Sequence, residues 1–293
     1  MRVHHAAGVG FQRDAGGYER SRPSYPLAAL AALADALPLE AGRTVVDLGA
    51  GTGKFTRLLA LTGAEVLAVE PVTAMRERLA ELLPQVAVVA GTAEGTGLPG
   101  GCADAVVAAQ SWHWFDQEAA LAEVERLLRP GGALVLVWNT YDTSVPWVRD
   151  FQDIYFRLAP RDLPSPPLPA GHGAGTGNGR AADGYGGTDG NGGADGNGGT
   201  AGISGSDTWR RAFAKRPGWG AIQELHVANP HSTTVEDVVA RMMSSSHIAV
   251  MDPADQAQVR AEVEAVLRSH DATRDSGAVE MPYTTDVYWV RRG

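Results

Sequence analysis

A single cysteine, Cys102, occurs in 293 residues. That excludes an internal disulfide framework and any zinc site built from several cysteines. It fits a reducing compartment. Basic charge is also short: 25 Lys and Arg stand against 34 Asp and Glu, a net charge of −9. A protein that grips nucleic acid wants a basic face, so nucleic acid is not an expected partner. No run approaches the ~20 apolar residues needed to cross a bilayer. The first residues, MRVHHAAGVGFQRD, lack the apolar core of a signal peptide. The expectation is a cytoplasmic protein with no membrane partner and no metal-ligand cluster. Its oligomeric state is left open. What the chain does have is a 44% hydrophobic fraction, enough for a packed core.

Glycine is unevenly spread. Of 36 glycines, 16 fall between Gly171 and Gly205. That window has little to bury, so it cannot offset the entropy of ordering its backbone. A Pro-rich lead-in, LPSPPLPAG, precedes it. Residues 163–206 are therefore expected to be a disordered Pro/Gly-rich insertion.

Before the insertion, apolar runs and helical patterns alternate. TVVDL at Thr44–Leu48, EVLAV at Glu65–Val69, QVAVVA at Gln85–Ala90, DAVVAA at Asp104–Ala109 and ALVLVW at Ala133–Trp138 read as strands. Helices are expected at Leu27–Leu37, Lys54–Thr62, Val72–Leu83 and Glu118–Leu128, the last stopped by Pro130-Gly131-Gly132. Strands that are apolar along their whole length belong to a parallel sheet covered on both faces. The fold class is therefore α/β, doubly wound. After the insertion come helices near Trp209–Lys215, Val235–Met243 and Asp255–Arg268, and strands at Ile222–Ala228 and Thr284–Val290. The end strand is expected to pair antiparallel with Ile222–Ala228. The insertion then splits one domain, 1–162 plus 207–293.

The turn Asp47-Leu48-Gly49-Ala50-Gly51-Thr52-Gly53 carries the chemistry. A Walker A loop fails, because Leu48 and Phe55 stand where Gly and Ser or Thr are required around Lys54. The dinucleotide fingerprint fails at Lys54, where its third glycine belongs. What remains is D-x-G-x-G-x-G after the first strand. Glycines let a ligand approach the backbone. Their N–H groups suit a carboxylate, and Asp47 suits an ammonium. Glu70, at the end of the second strand, is placed to accept hydrogen bonds from a ribose diol.

These pieces, DLGAGTGKFTRLLA, VLAVEPVTAMRERL, GTAEGTGLPGGCADAVVAAQSWHWFD and LLRPGGALVLVWNTYD, together resemble a class I S-adenosylmethionine-dependent methyltransferase. The chain is most similar to the type 11 branch with its trans-aconitate-methyltransferase-like subgroup. The resemblance implies a seven-stranded, mostly parallel, Rossmann-like sheet, an S-adenosyl-L-methionine cofactor and a small-molecule acceptor with an O, N or C nucleophile. It implies that Gly49, Ala50 and Gly51 contact the methionine part of the cofactor, with Asp47 behind them. Glu70 would hold the ribose, and Pro71 and Met75 would flank the adenine. Thr92, Ala93 and Glu94 would sit at the adenine edge, Thr92 standing where many relatives carry Asp. Gln110 and Ser111 would lie beside the sulfonium. Residues 1–26 would form an N-terminal lid, with Tyr18, Arg22 and Tyr25 folding over the cofactor and Arg22 pairing with its carboxylate. Tyr25 and Asn139 would also border the acceptor pocket. The glycine-rich insertion departs from the family pattern.

Gln110-Ser111-Trp112-His113-Trp114-Phe115-Asp116 follows the fourth strand, at the edge where α/β folds bind ligands. Trp112 and Trp114 either line the acceptor pocket or pack between strand and helix. His113 is the candidate general base, or else a wall of the pocket. Two other readings stay open: a nicotinamide-dependent oxidoreductase on a related fold, and a non-enzymatic S-adenosylmethionine-binding protein.

Overall fold

The apolar runs form one sheet. The computed structural model describes residues 22–158, 208–214, 216–245, 247–274 and 277–293. Helix α1 (Leu27–Ala36) precedes strand β1 (Thr44–Leu48), α2 (Lys54–Ala60), β2 (Glu65–Val69), α3 (Thr73–Leu82), β3 (Ala87–Val89) and β4 (Ala103–Ala109). A 3₁₀ turn at Trp112–Trp114 leads to α4 (Gln117–Leu127), β5 (Leu128–Tyr141) and α5 (Pro146–Leu158). Then come α6 (Thr208–Ala214), β6 (Gln223–Ala228), β7 (His231–Thr233), α7 (Val235–Met243), α8 (Pro253–Ser269), α9 (Asp271–Arg274), β8 (Val279–Met281) and β9 (Tyr283–Arg291).

The seven-stranded order is β3-β2-β1-β4-β5-β9-β6. Strands β1 to β5 pair in parallel. Strand β9 runs antiparallel between β5 and β6. The expected antiparallel pair at the end of the chain is present. Both of its strands follow residues 159–207, and both join the sheet that β1 to β5 form before them. The expected insertion at 163–206 lies outside the described residues.

Side chains of β1 alternate between two cores. Val45 packs with α1, α2 and α3 through Leu33, Leu59 and Leu79. Val46 packs with α4 and α6 through Leu121, Val124 and Phe213. Both faces are covered, so the strands carry no polar side for water. Register places Asp47 opposite Ala68 of β2 and Val107 of β4. The carboxyl ends of β1, β2 and β4 therefore open side by side.

Two features differ from the sequence reading. Strand β5 starts at Leu128, directly after α4, and not at Ala133. Pairing passes from Ala103↔Leu128 to Ala105↔Ala133, so Arg129–Gly132 bulge out of register. Gly131 takes φ +77° there, which lets the Pro-Gly-Gly piece bend within the strand. The other difference is a third core. Trp147, Phe151 and Ile154 of α5 pack with Val239 and Met242 of α7, Val263 and Leu267 of α8, and Met281 of β8. The sequence reading assigns neither α5 nor the β7–β8 pair. Yet Trp147, Phe151 and Ile154 recur at helical spacing behind Pro146. This helical cap meets the sheet at Tyr141, which closes β5, and Tyr283, which opens β9; their rings are 4.7 Å apart.

Glu123 ties α4 to the β3–β4 connection. Its carboxylate accepts from Thr96 N at 2.9 Å and Thr96 Oγ1 at 2.5 Å, and pairs with Arg126 at 2.7 Å. These donors, Arg126 foremost, hold the carboxyl down at about 2. A folded pKa below the unfolded one stabilises above the unfolded value and is lost as pH falls through the folded one. Stability should therefore fall as pH drops from about 4.5 toward about 2. Glu123→Gln should flatten that acid limb, as measured by urea midpoints across the range. An unchanged limb would show that other carboxylates govern it.

Candidate active site

The turn after β1 depends on close approach. Gly49 has φ +66°, and a Cβ there would meet Ser111 Cβ at 2.8 Å and Phe115 Cζ at 3.1 Å. Only glycine fits both the left-handed backbone and the contact. Ser111 Oγ in turn donates to Leu48 O at 2.7 Å. The β1 and β4 ends are thereby locked together at the floor of a cleft.

The glycine N–H groups do not point where the sequence reading expects. Gly49 N and Ala50 N both donate to Val69 O, at 2.8 and 3.1 Å. Gly51 N donates to Glu70 Oε2 at 2.9 Å. All three are spent on β2 and the residue after it. The turn offers a ligand space, not a row of N–H donors. Its positive charge comes from side chains: Arg22, Lys54 and Arg241 all line the cleft.

Two buried carboxylates stand at the strand ends. Glu70 Oε1 accepts from Val72 N at 2.8 Å while Oε2 takes Gly51 N, so the side chain bridges two loops. Burial raises its pKa, and the two N–H groups and Arg76 oppose that rise. Asp47 Oδ2 accepts from Thr56 Oγ1 at 2.6 Å. Its other oxygen, Oδ1, is buried with no hydrogen-bond partner among the described residues. Burial pushes Asp47 up to about 7; the Thr56 hydroxyl pulls down and the Glu70 charge adds to the rise. A buried acceptor left unpaired is costly, and it is the place for a cationic donor.

The cleft encloses about 1200 Å³, its open mouth included. Most expected residues meet in its lining: Arg22, Tyr25, Asp47, Gly49, Ala50, Gly51, Glu70, Pro71, Met75, Thr92, Ala93, Glu94, Gln110, Ser111, Trp114 and Asn139. Tyr18 lies outside the described residues. Phe55 closes one side, with the Tyr25 ring edge-on at 4.9 Å. Glu94 accepts from Asp116 N at 3.0 Å, fixing the wall near the 3₁₀ turn. Gln110 has φ +56°, the one non-glycine residue with positive φ among those described. Its N donates to Val137 O at 2.8 Å and its Nε2 to Asn139 O at 2.9 Å. Such strain persists only where surroundings impose it, and it gathers at functional sites.

Two expected residues are elsewhere. Trp112 is fully buried against Phe115, rings 5.8 Å apart, and does not line the cleft. The 3₁₀ turn sends Trp112 inward and Trp114 outward. His113 is also absent from the lining. Its Nδ1 accepts from Trp138 Nε1 at 3.4 Å. Burial, with the Arg22 charge, pushes the imidazole down to about 3. It is neutral at ordinary pH, and the nitrogen that accepts faces an indole. Asn139 lines the cleft but its amide is engaged: Oδ1 accepts from Thr285 Oγ1 at 2.6 Å, and Nδ2 donates to Ser24 O at 3.2 Å. It anchors the lead-in before α1 to the sheet. Besides Lys54 and Phe55 of α2, Arg241 is a lining residue that the sequence reading misses. It lies on α7 with no motif around it, and only the packing of the cap brings it here.

Among the described residues no group of three or more His, Cys, Asp or Glu is placed to hold a metal ion. No described helix is long and apolar enough to cross a membrane.

Comparison with known proteins gives the same region. Residues 46–136 match the family model described as a methyltransferase domain. An uncharacterized methyltransferase of Mycobacterium tuberculosis is 48% identical over 149 residues, covering 51% of this chain and 60% of the relative. A trans-aconitate 2-methyltransferase of Paracidovorax citrulli is 35% identical over 122 residues, 40% of this chain and 45% of that protein. The chain thus spans about half the length of the curated relatives it matches. A solved structure from Anaeromyxobacter dehalogenans, provisionally assigned as a type II methyltransferase, superposes with a TM-score of 0.58 at 21% identity, over 92% of this chain and 97% of that one. At that identity the likeness speaks for the fold. The end of β1, its glycine turn, β2 and β4 lie inside the matched segment, so residues 46–136 are similar to the methyltransferase domain family in the part of the chain that builds the cleft floor.

Proposed function

We propose that this chain is an S-adenosyl-L-methionine-dependent methyltransferase acting on a small-molecule acceptor. One observation carries the reading: Asp47, whose buried Oδ1 has no partner among the described residues, lines the same cleft as the bridged Glu70 carboxylate. Bound there, the cofactor supplies a methyl group on a sulfonium, which an O, N or C nucleophile takes in line. Asp47, as the anion, accepts from the cofactor's ammonium. Glu70 keeps a lone pair on each oxygen for the ribose diol beyond its two backbone donors. Pro71 and Met75 flank the adenine, and Thr92, Ala93 and Glu94 border its edge. Gln110 and Ser111 hold the β4 end beside the reacting centre. Arg22, on the lead-in, faces the carboxylate of the methionine part.

The protein's contribution to rate is orientation and exclusion of water by Tyr25, Trp114 and Phe115, worth about 7–11 kcal/mol where alignment is good. His113 is assigned no proton transfer, because it does not line the cleft and its imidazole, pushed down to about 3, is a weak base. The trans-aconitate 2-methyltransferase among the relatives supports an acceptor of small-molecule size. Strands from both sides of 163–206 in one sheet support a single methyltransferase domain, interrupted once.

S-adenosylhomocysteine should bind and raise the melting temperature, since a ligand of the folded state alone stabilises it by mass action. Glu70→Ala should weaken that affinity about tenfold or more with the fold retained, matching the loss of a charge-assisted hydrogen bond. Calorimetric titration decides both points, and absence of binding to the wild type would sink the reading.

Asp47 makes binding depend on pH in a defined direction. Its folded pKa lies above the unfolded one, so the unliganded protein loses stability as pH rises from about 4 to about 7. An ammonium ligand favours the carboxylate and releases the proton. Affinity for S-adenosylhomocysteine should therefore strengthen from about pH 5.5 to about pH 7, by at most ~tenfold per pH unit for one proton. Titrations in buffers of different ionisation enthalpy should register proton release. Asp47→Asn should bind more weakly and lose most of that slope; a full slope in the variant would move the linkage to another group.

A further inference from the structure

The segment in front of α1 is held by its carbonyls. Residues 22–26 include Pro23 and Pro26, whose rings fix φ, so the segment moves as one piece. At its first residue, Lys54 Nζ donates to Arg22 O at 2.6 Å. At Ser24 the carbonyl accepts from Asn229 Nδ2 at 2.8 Å and from Asn139 Nδ2 at 3.2 Å. The next residue, Tyr25, is buried with its ring edge-on to Phe55. Arg22, Pro23 and Tyr25 line the cleft, so the segment is a strap along it.

The anchors come from separate elements. Lys54 opens α2, Asn139 lies on β5 and Asn229 follows β6. In the order β3-β2-β1-β4-β5-β9-β6, the strap is fastened on the β1 side and again toward β5 and β6, while Glu70 and Thr92 follow β2 and β3 on the far side of β1. Under the cofactor assignment above, the methionine part lies at the strap and the adenosine lies beside it. Lys54 stands where the dinucleotide fingerprint has its third glycine, whose task is close packing of the helix. Gly53 performs that task here, since a Cβ on it would meet the Leu79 and Leu83 side chains at 3.0 Å. The next position is thereby open to a long side chain. The helix dipole disfavours a cation in the first turn, so Lys54 sits there against local preference and is stabilised by the Arg22 carbonyl. Asn229 does not line the cleft. Its effect on a bound ligand passes through the strap or through Asn139, whose Oδ1 it meets at 3.2 Å.

We propose that Lys54 and Asn229 are positioning residues that latch residues 22–26 over the methionine part of the cofactor, and that the cofactor enters and leaves as this latch opens. The inference rests on the methyltransferase reading and adds to it the control of cofactor exchange.

The test separates the two. Wild type, Lys54→Met, Asn229→Ala and the double variant are titrated with S-adenosylhomocysteine and with methylthioadenosine, which keeps the adenosine and lacks the amino-acid part. Each single variant should lose about fivefold or more in S-adenosylhomocysteine affinity while its methylthioadenosine affinity stays within about twofold of wild type, the first being the scale of one lost hydrogen bond. Stopped-flow displacement should register the loss as faster release of S-adenosylhomocysteine. The double variant should fall below the weaker single variant by no more than about twofold, because a strap freed at one carbonyl loses little more when freed at the other. Lys54→Arg keeps a cationic donor and should recover part of the affinity. Should Lys54→Met lose its melting transition, Asn229→Ala with the two ligands decides alone. Equal losses for both ligands, unchanged affinity and release in Asn229→Ala, or additive losses in the double variant would each overturn the proposal; additivity would put Lys54 in direct contact with the ligand instead. Failure of wild type to bind S-adenosylhomocysteine would overturn the methyltransferase reading, and the latch with it.

Discussion

The Glu70 carboxylate holds the cleft in shape. One oxygen takes the Gly51 N–H from the turn after β1; the other takes the Val72 N–H at the start of α3. Gly49 and Ala50 meanwhile donate to the carbonyl of Val69, just before it. The β1 turn is thus fastened to the end of β2 by main-chain and side-chain bonds together. That fastening decides what the turn can offer a ligand. The N–H groups of Gly49, Ala50 and Gly51 are consumed, so the turn supplies room, and the charge lining the cleft comes from carboxylates and cationic side chains.

Burying two carboxylates at neighbouring strand ends has a cost, and the structure offsets it unevenly. Glu70 is compensated by two N–H donors. Asp47 receives one hydroxyl and keeps an oxygen unpaired, with its pKa pushed up to about 7. An uncompensated acceptor beside a compensated one gives the cleft a polarity before any ligand arrives. The strained Gln110 at the β4 end and the close contact of Gly49 with Ser111 follow the same pattern: each brings backbone to the lining of the cleft.

The cap answers the sheet from the opposite side. α5, α7, α8 and the β7–β8 pair form their own core and touch the sheet through Tyr141 and Tyr283. Arg241 rests on that contact. The carboxylates of the cleft and Lys54 come from segments close in sequence, between Asp47 and Glu94, whereas Arg22 comes from the lead-in and Arg241 from α7.

The sequence by itself determined the parallel sheet and the location of the acidic part of the cleft. Fully apolar runs such as VVDL and DAVVAA leave no face for water, and three alternating glycines after Asp47 leave few conformations other than a tight strand-to-helix turn. Glu70 was legible because a carboxylate ending the second strand has a fixed spatial relation to that turn. Tertiary structure alone decided the rest. Whether a glycine N–H faces a ligand or a carbonyl depends on β2, which the turn's own residues do not encode. His113 and Trp112 sit in a promising string of aromatics, yet one 3₁₀ turn rotates them away from the cleft while Trp114 faces it. A three-residue rotation of that kind leaves no trace in composition or periodicity. Arg241 has no motif at all; it reaches the site because the apolar face of α7 must be buried against α5 and α8, and burying that face carries the arginine on its other side to the tyrosines at the sheet edge.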